Sequence, residues 1–330
     1  MIPLSLHTAE KVAVFEEFGR PGGIIILDGY IYIQEKTTVF IYKLKDFTFL
    51  KSFGKEGEGP GEIKMNMFGG PLTVLPNDRG QIVITSAAKV SFFSKTGEYL
   101  KEFKVNQFDS YYPIGDKYIC TSSTASEDDK AKLVLALFMA DENLKKGKII
   151  YRTDFETGAN FKFVFPITPF YPDTDGDKLF IIAGIHGFAI DVFNKNGDKL
   201  YRISKKFKPR KVPSTYKKKT IDWFKADPTY QSAWDFFRQR IEFNEYFPPI
   251  YRMNTDNGRI YVFSSTMKGD QRECVVMDHR GNEVKRLFLH LPERYGMDFY
   301  DIYTIKNNYF YRLVENEDEE NWELHRTKIE

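Results

Sequence analysis

Asn257-Gly258-Arg259-Ile260-Tyr261-Val262-Phe263 reads as a tight turn running straight into a strand. Asn-Gly accepts positive φ, and the β-branched and aromatic residues behind it suit a pleated, half-buried surface. The same phrase stands at Asp28-Gly29-Tyr30-Ile31-Tyr32-Ile33 and at Asp78-Arg79-Gly80-Gln81-Ile82-Val83-Ile84. Working outward from these copies, the chain divides into six units, each predicting four strands, a to d, with Gly/Asn/Asp turns between a and b and between c and d. In unit two, a lies near Pro71–Leu75, b at Gln81–Thr85, c at Lys89–Ser94 and d at Glu98–Phe103. Unit four repeats this around Asp175-Gly176-Asp177 and Lys195-Asn196-Gly197, and unit five around Asp256-Asn257-Gly258 and His279-Arg280-Gly281. Units of this size cannot bury their own faces, so they must stack on one another.

Unit six stops near Trp322–Ile329 with three strands, while Lys11–Phe18 at the other end of the chain reads as an unclaimed strand d. The N-terminal strand is therefore expected to complete the last unit. That closes a ring with short, protected edges: an all-β, six-bladed β-propeller spanning 1–330 as one domain. One segment breaks the β pattern. Ser214–Ala226, and then Asp227-Pro228 to Phe243, read as a helical hairpin inserted between blades four and five, approximately 212–244. Asp227 suits an N-cap with Pro228 at the first helical position, and Tyr230, Trp234, Phe237 and Ile241 fall on one helical face.

Of 330 residues, 30 are Phe and 20 Tyr, which favours strands, and no apolar run approaches the length a membrane helix requires. A net charge of +2 gives no global case for nucleic acid. Cys120 and Cys274 are expected in units three and five, too far apart to bond. Residues 1–15 carry neither the basic start nor the apolar core of a signal peptide.

Strands in such a blade alternate in direction, so connection parity assigns every loop to one end. The d–a crossings and b–c turns share one face; the a–b and c–d turns share the other. The helical insert, the Gly-rich run Gly54–Glu62, the segments Asn106–Tyr112 and Asp154–Phe170, and the acidic stretches Ser126–Lys130 and Glu315–Glu320 all fall on the first face. Binding is expected there.

At Phe53-Gly54-Lys55-Glu56-Gly57-Glu58-Gly59-Pro60-Gly61-Glu62 the chain resembles the NHL-like six-bladed β-propellers, in particular the bacterial six-bladed proteins with a GxGPGE run at a blade junction. Ile82–Phe93 and Leu179–Phe193 resemble degenerate NHL repeats, and the helical stretch ending Phe247-Pro248-Pro249 is similar to a feature of that group. The resemblance implies fold far more than activity. It also implies an extracytoplasmic (periplasmic or surface) location, which no export signal in this chain supports.

The individual motifs favour turns over chemistry. GEGPGE has no Lys-Ser/Thr after it and opens no helix, so it is a blade-crossing turn and not a phosphate cradle. Asp173-x-Asp175-Gly176-Asp177 has its Gly at the fourth place of a calcium-loop pattern and lacks the Glu at the twelfth, which makes it an a–b turn. The five histidines, His7, His186, His279, His290 and His325, show no metal-ligand spacing, and His279 is expected to be solvent exposed in its c–d turn. No GxSxG elbow occurs. The run Lys205, Lys206, Lys208, Arg210, Lys211, Lys217, Lys218 and Lys219 is expected to be a solvated lid surface facing Glu315–Glu320, with nucleic-acid binding the lesser reading.

The first functional expectation is a ligand- or protein-binding module for a protein, peptide or glycan. Its mixed aromatic and cationic pocket would use Arg20, Lys55, Tyr112, Tyr171, His186, Tyr246 and Arg252. No catalytic residue and no cofactor are assigned. The alternative is a metal-dependent hydrolase or lyase with a divalent ion in the central channel, for which Asp301 and His186 would be the first ligands. Inner strands offering Tyr112, Tyr171, Arg252, Tyr300 and Asp301 carry few acids, which weighs against it.

Overall fold

A computed structural model describes residues 9–65, 73–125, 132–156, 161–167, 172–182, 187–298 and 301–329. The chain enters through β1 (Glu10–Phe15). Blade one is β2 (Gly23–Leu27), β3 (Tyr30–Glu35), β4 (Thr38–Lys43) and β5 (Phe49–Phe53). Blade two is β6 (Thr73–Pro76), β7 (Ile82–Ser86), β8 (Lys89–Phe93) and β9 (Tyr99–Lys104). Blade three is β10 (Asp109–Ile114), β11 (Lys117–Ala125), β12 (Lys132–Ala140) and β13 (Lys146–Glu156). A short strand, β14 (Phe163–Phe165), precedes blade four, which is β15 (Pro172–Asp175), β16 (Lys178–Ile182), β17 (Phe188–Asn194) and β18 (Lys199–Lys205). The insert then comprises α1 (Ser214–Ala226), α2 (Pro228–Gln231), α3 (Trp234–Arg238) and β19 (Ile241–Phe243). Blade five is β20 (Ile250–Asp256), β21 (Arg259–Lys268), β22 (Gln271–Asp278) and β23 (Glu283–His290), and blade six supplies β24 (Tyr303–Lys306), β25 (Tyr309–Asn316) and β26 (Asn321–Lys328).

All six blades are four-stranded and antiparallel, and the sixth is completed by β1 pairing with β26, Phe15 opposite Trp322. The ring closure read from the ends of the sequence is thus present. The innermost strands β2, β6, β10, β15, β20 and β24 touch their neighbours in that cyclic order and enclose the channel.

The apolar core is six interleaves between blades rather than one central mass. Blades one and two share Tyr32, Ile41, Ile82 and Phe93; blades four and five share Ile190, Val192, Ile260 and Val262; blades six and one share Phe15, Ile31, Tyr42 and Leu324. Middle strands are therefore buried on both faces, as in β7 and β8, where every residue is buried. Outer strands such as β9 alternate weakly and stay exposed. The c–d turn glycines follow from this stacking. Gly97 (φ +82°) and Gly281 (φ +84°) lie where a Cβ would meet Phe53 and Ile203 of the preceding blade, each at 2.6 Å. The turn needs both a left-handed backbone and the missing side chain.

Hydrogen bonds stitch the same seams. Tyr32 Oη donates to the Lys95 carbonyl at 2.8 Å, and Tyr201 Oη to that of His279 at 2.7 Å. The a–b turn carboxylates act similarly: Asp175 accepts the Gly258 N–H and Asp256 the Asn307 N–H, both at 2.7 Å, each from the next blade. His279 is consequently not a solvated turn residue. Its Nε2 meets Asp175 at 2.9 Å and its ring lies 5.0 Å from that of Phe180, which wedges it between blades four and five.

The insert starts as the sequence predicts and then departs from it. Asp227 caps as expected, its carboxylate accepting the Thr229 N–H at 2.9 Å. Beyond it the helix breaks into the short turns α2 and α3, and the segment ends as a strand, β19, paired in parallel with β14. Tyr230, Trp234, Phe237 and Ile241 nevertheless share one packed face, over Phe165, Tyr216, Phe224 and Phe247. Burial of that face, not continuous helix, is what their spacing encoded.

Candidate functional site

Two concave regions lie on the propeller axis and beside it. The axial channel encloses about 630 Å³ between the six innermost strands. Tyr112 and Arg252 line it, Arg252 standing 6.0 Å from the ring centres of both Tyr251 and Tyr303. The channel is richer in acids than its inner strands suggested, because Asp28, Asp78, Asp173, Asp175 and Asp256 also face it from strand ends and a–b turns. Asp256 pairs with Lys306 at 2.7 Å and Asp175 is held by the blade-to-blade bonds above. Asp173 bridges β15 to β20 by accepting the Thr255 N–H at 2.7 Å. Its carboxyl is pushed up to about 7, chiefly by burial, against the opposing pull of the N–H groups of Thr174 and Thr255.

The second region is a cleft of about 50 Å³ on the face of the blade crossings, where the insert meets blades five and six. Phe165, Tyr216 and Phe247 form one wall; Tyr251, Ser265 and Arg272 form the floor; Glu293 and Arg294 stand at the side. The parts are placed by different elements. Strand β20 begins at Ile250 and presents Tyr251, while β21 and β22 bring Ser265 and Arg272 together near their shared hairpin. Arg272 is 2% exposed. Its guanidinium lies 3.7 Å over the Tyr251 ring and donates Nη1 to the Ser264 carbonyl at 3.2 Å. Burial pulls its pKa below the ordinary arginine value, though arginine stays charged regardless.

Around this floor the charges interlock. Arg294 donates Nε to Asp301 at 3.0 Å and Nη1 to Asp298 at 3.2 Å, and Tyr251 Oη donates to Asp301 at 3.1 Å. Arg210 stacks 3.6 Å over the Phe247 ring and pairs with Glu293, fastening the insert to the crossing between blades five and six. Arg312 feels both Asp301 and Arg294. Arg210 Nε, Ser265 Oγ and Arg272 Nε are among the buried atoms of the described residues that have no hydrogen-bond partner.

Of the seven residues singled out in the sequence, five are described, and of those five Tyr112 and Arg252 share the channel lining. Arg20 is exposed on the crossing into blade one, its N–H bonded to Glu35 at 2.6 Å. Lys55 sits in the GEGPGE turn, paired with Glu62 at 3.3 Å. That turn closes on itself through Ile63 N–H to the Lys55 carbonyl at 2.7 Å. Tyr246 lies on the insert beneath Lys211, whose Nζ is 6.0 Å from its ring centre. Tyr171 and His186 lie outside the described residues, as does Tyr300. Asp301, the first candidate metal ligand, has its carboxylate engaged by Arg294 and Tyr251, and no group of three or more His, Cys, Asp or Glu able to hold a metal occurs among the described residues.

The basic run is not a uniform solvated surface. Arg210 is stacked and half-buried, Lys217 and Lys219 lie over Phe243 and Tyr295, and the run's ion pairs among the described residues go to Asp222, Glu245 and Glu293. None goes to the Glu315–Glu320 turn. Sequence reasoning missed Arg272, Ser265, Tyr251 and Arg294. The available signal was Arg272-Glu273, two charges leading into the apolar, buried run Cys274–Met277 of the same strand.

No protein-family model matches the chain, and no match was found among curated proteins. No helix among the described residues is long and apolar enough to cross a membrane. Among solved structures, the chain is similar to the Neurospora crassa Pan2 WD40 domain (10% identity, 93% of this chain and 75% of that one, TM-score 0.44). It is also similar to the Myceliophteria thermophila Cps50 (Swd1) β-propeller domain, at 9% identity over 96% of this chain and 99% of that one, TM-score 0.41. A third likeness is to a protein of unknown function from Bacteroides caccae, at 12% identity over 84% of this chain and 78% of that one, TM-score 0.36.

Proposed function

We propose that the chain is a binding β-propeller that captures a partner or ligand on the face formed by its blade crossings and helical insert. One observation carries this reading: the insert and the β14 segment hold apolar side chains out to solvent. Phe236 is 49% exposed, Ile167 41%, Val164 40% and Tyr246 39%, all within one continuous appendage. Apolar side chains held out on an element that the ring does not need for closure offer a partner surface to bury. The plain-turn face, by contrast, is occupied by turns that hold the blades together.

A photo-crosslinking amino acid placed at Phe236 tests the assignment against one at Asn196 in a plain-turn loop. A discrete adduct from position 236 and none from position 196 is the expected result. Adducts from position 196 alone, or from neither position, overturn it.

A further inference from the structure

We propose that the cleft beneath the insert takes the carboxylate end of a ligand with an apolar stem, the charge resting on Arg272 and Ser265 and the stem on the aromatic wall. This deepens the binding reading above and rests on it for the choice of face.

The polar floor is incomplete as built. Arg272 and Ser265 are 2% and 1% exposed, and Arg272 Nε and Ser265 Oγ have no hydrogen-bond partner although both residues line the same cleft. A buried donor left unmet is costly, and an arginine fork together with a hydroxyl matches a planar carboxylate. The cleft, at about 50 Å³, has room for more than one water. The opposite wall is apolar, made by Phe165, Tyr216 and Phe247, so a ligand of water-like polarity throughout would leave it unmatched.

Charge narrows the ligand further. At the cleft Arg210 is paired with Glu293, and Arg294 with Asp298 and Asp301, whereas Arg272 has no carboxylate partner among the described residues. That one unpaired guanidinium favours an anion. The three acids set its limit, because a tetrahedral dianion would press a second negative charge against them. One planar charge is the better match.

The stem-bearing carboxylate has two sources, a free small acid or the C-terminus of a partner chain, and one titration separates them. Trp223 reports on the site: a Cβ at Gly296, which lines the cleft, would lie 2.2 Å from its ring. Fluorescence of the purified full chain would be followed against isovalerate, an acetyl-Gly-Gly-Leu peptide with a free carboxylate, the same peptide as its amide, and inorganic phosphate.

A saturable response to isovalerate alone identifies a free acid, and to the peptide carboxylate alone a partner's terminus; either supports the proposal. Arg272→Gln should weaken that binding by about tenfold or more, and Ser265→Ala by about threefold to tenfold, as expected for charged and neutral hydrogen bonds. Ser265→Ala removes only a hydroxyl and keeps the test alive if Arg272→Gln fails to fold. No response to either carboxylate, an equal response to phosphate or the amide, or unchanged affinity in Ser265→Ala overturns the proposal. Crosslinking at position 236 without carboxylate binding would sink the cleft assignment and leave the face intact; the reverse pattern would keep the cleft and remove only the exposed apolar surface around Phe236 as the contact.

Discussion

Asp173 shows how little a residue's sequence context says about its charge. In the sequence it opens an Asp-rich turn; in the fold its carboxylate stands at the channel wall between two inner strands and accepts the N–H groups of Thr174 and Thr255. With the ordinary value at 3.8 and the folded one at about 7, the native state holds a proton between these limits that the unfolded chain has released. Stability from this group therefore rises as pH falls through that window and is lost as pH rises through 7. In urea unfolding from pH 8 to pH 5, wild type should gain on Asp173→Asn, whose amide does not titrate. A constant difference across that range would mean that the carboxylate is ionised in the fold. The cysteines make a second prediction at this scale. Both are buried and free, burial pushing Cys120 up to about 12 and raising Cys274 as well. Neither should react with a thiol reagent at pH 8 until denaturant is added, because the thiolate is the reactive form. Native-state labelling of either one would contradict its placement. Turn residues such as Gly97 were legible because their backbone demand is local. Arg272 and Ser265 were not, because what matters about them is which distant ring or carbonyl they meet.

At the scale of elements, strands were read almost to their ends, whereas the insert was read in outline. A β-rich run bounded by two turn signals marks a middle strand whatever it packs on, so β7 and β8 fall within a residue of their expected bounds. The second half of the insert is shaped by its partner. Its backbone turns into β19 because β14, some eighty positions earlier, offers a strand to pair with, and Phe163 N–H reaches the Arg240 carbonyl at 2.8 Å. No window of the insert's own sequence contains that information. Phe224 is the centre of the element, fully buried and within 5.2–6.4 Å of the rings of Phe163, Phe165, Trp223, Tyr230 and Phe237. Phe224→Ala should destabilise the packing of the appendage by about 3–5 kcal/mol. The effect should stay local, since the blades have their own interleaved cores. Limited proteolysis should find new cleavage within 212–244 while the β signature of the ring persists. If the whole chain instead unfolds at a lower midpoint with no local cleavage, the insert is part of the cooperative unit rather than an appendage to it.

For the whole molecule the decisive contact joins the two ends of the sequence. Blade six has only three strands of its own, and without β1 the edge of β26 would be open to any other chain. Phe15 anchors the join. It is 2% exposed, with its ring 4.4 Å from that of Tyr42 and 5.8 Å from that of Phe18, so it ties blade six to blade one as well as β1 to β26. Phe15→Ala should therefore cost about 3–5 kcal/mol. The more informative question is where that cost is felt. In a ring every blade buries its faces on two neighbours, so opening one seam leaves the blades on either side of it with one neighbour each, and opening should propagate. Two tryptophans sit at opposite ends of the test: Trp322, in β26, donates to the Gly19 carbonyl at 3.0 Å beside the closure, and Trp223 lies in the insert. With each as the only remaining tryptophan, Phe15→Ala should lower both unfolding midpoints together. Loss of the Trp322 signal well before that of Trp223 would show a seam that frays alone, and the closed ring would then be a geometric fact without being the source of the fold's cooperativity.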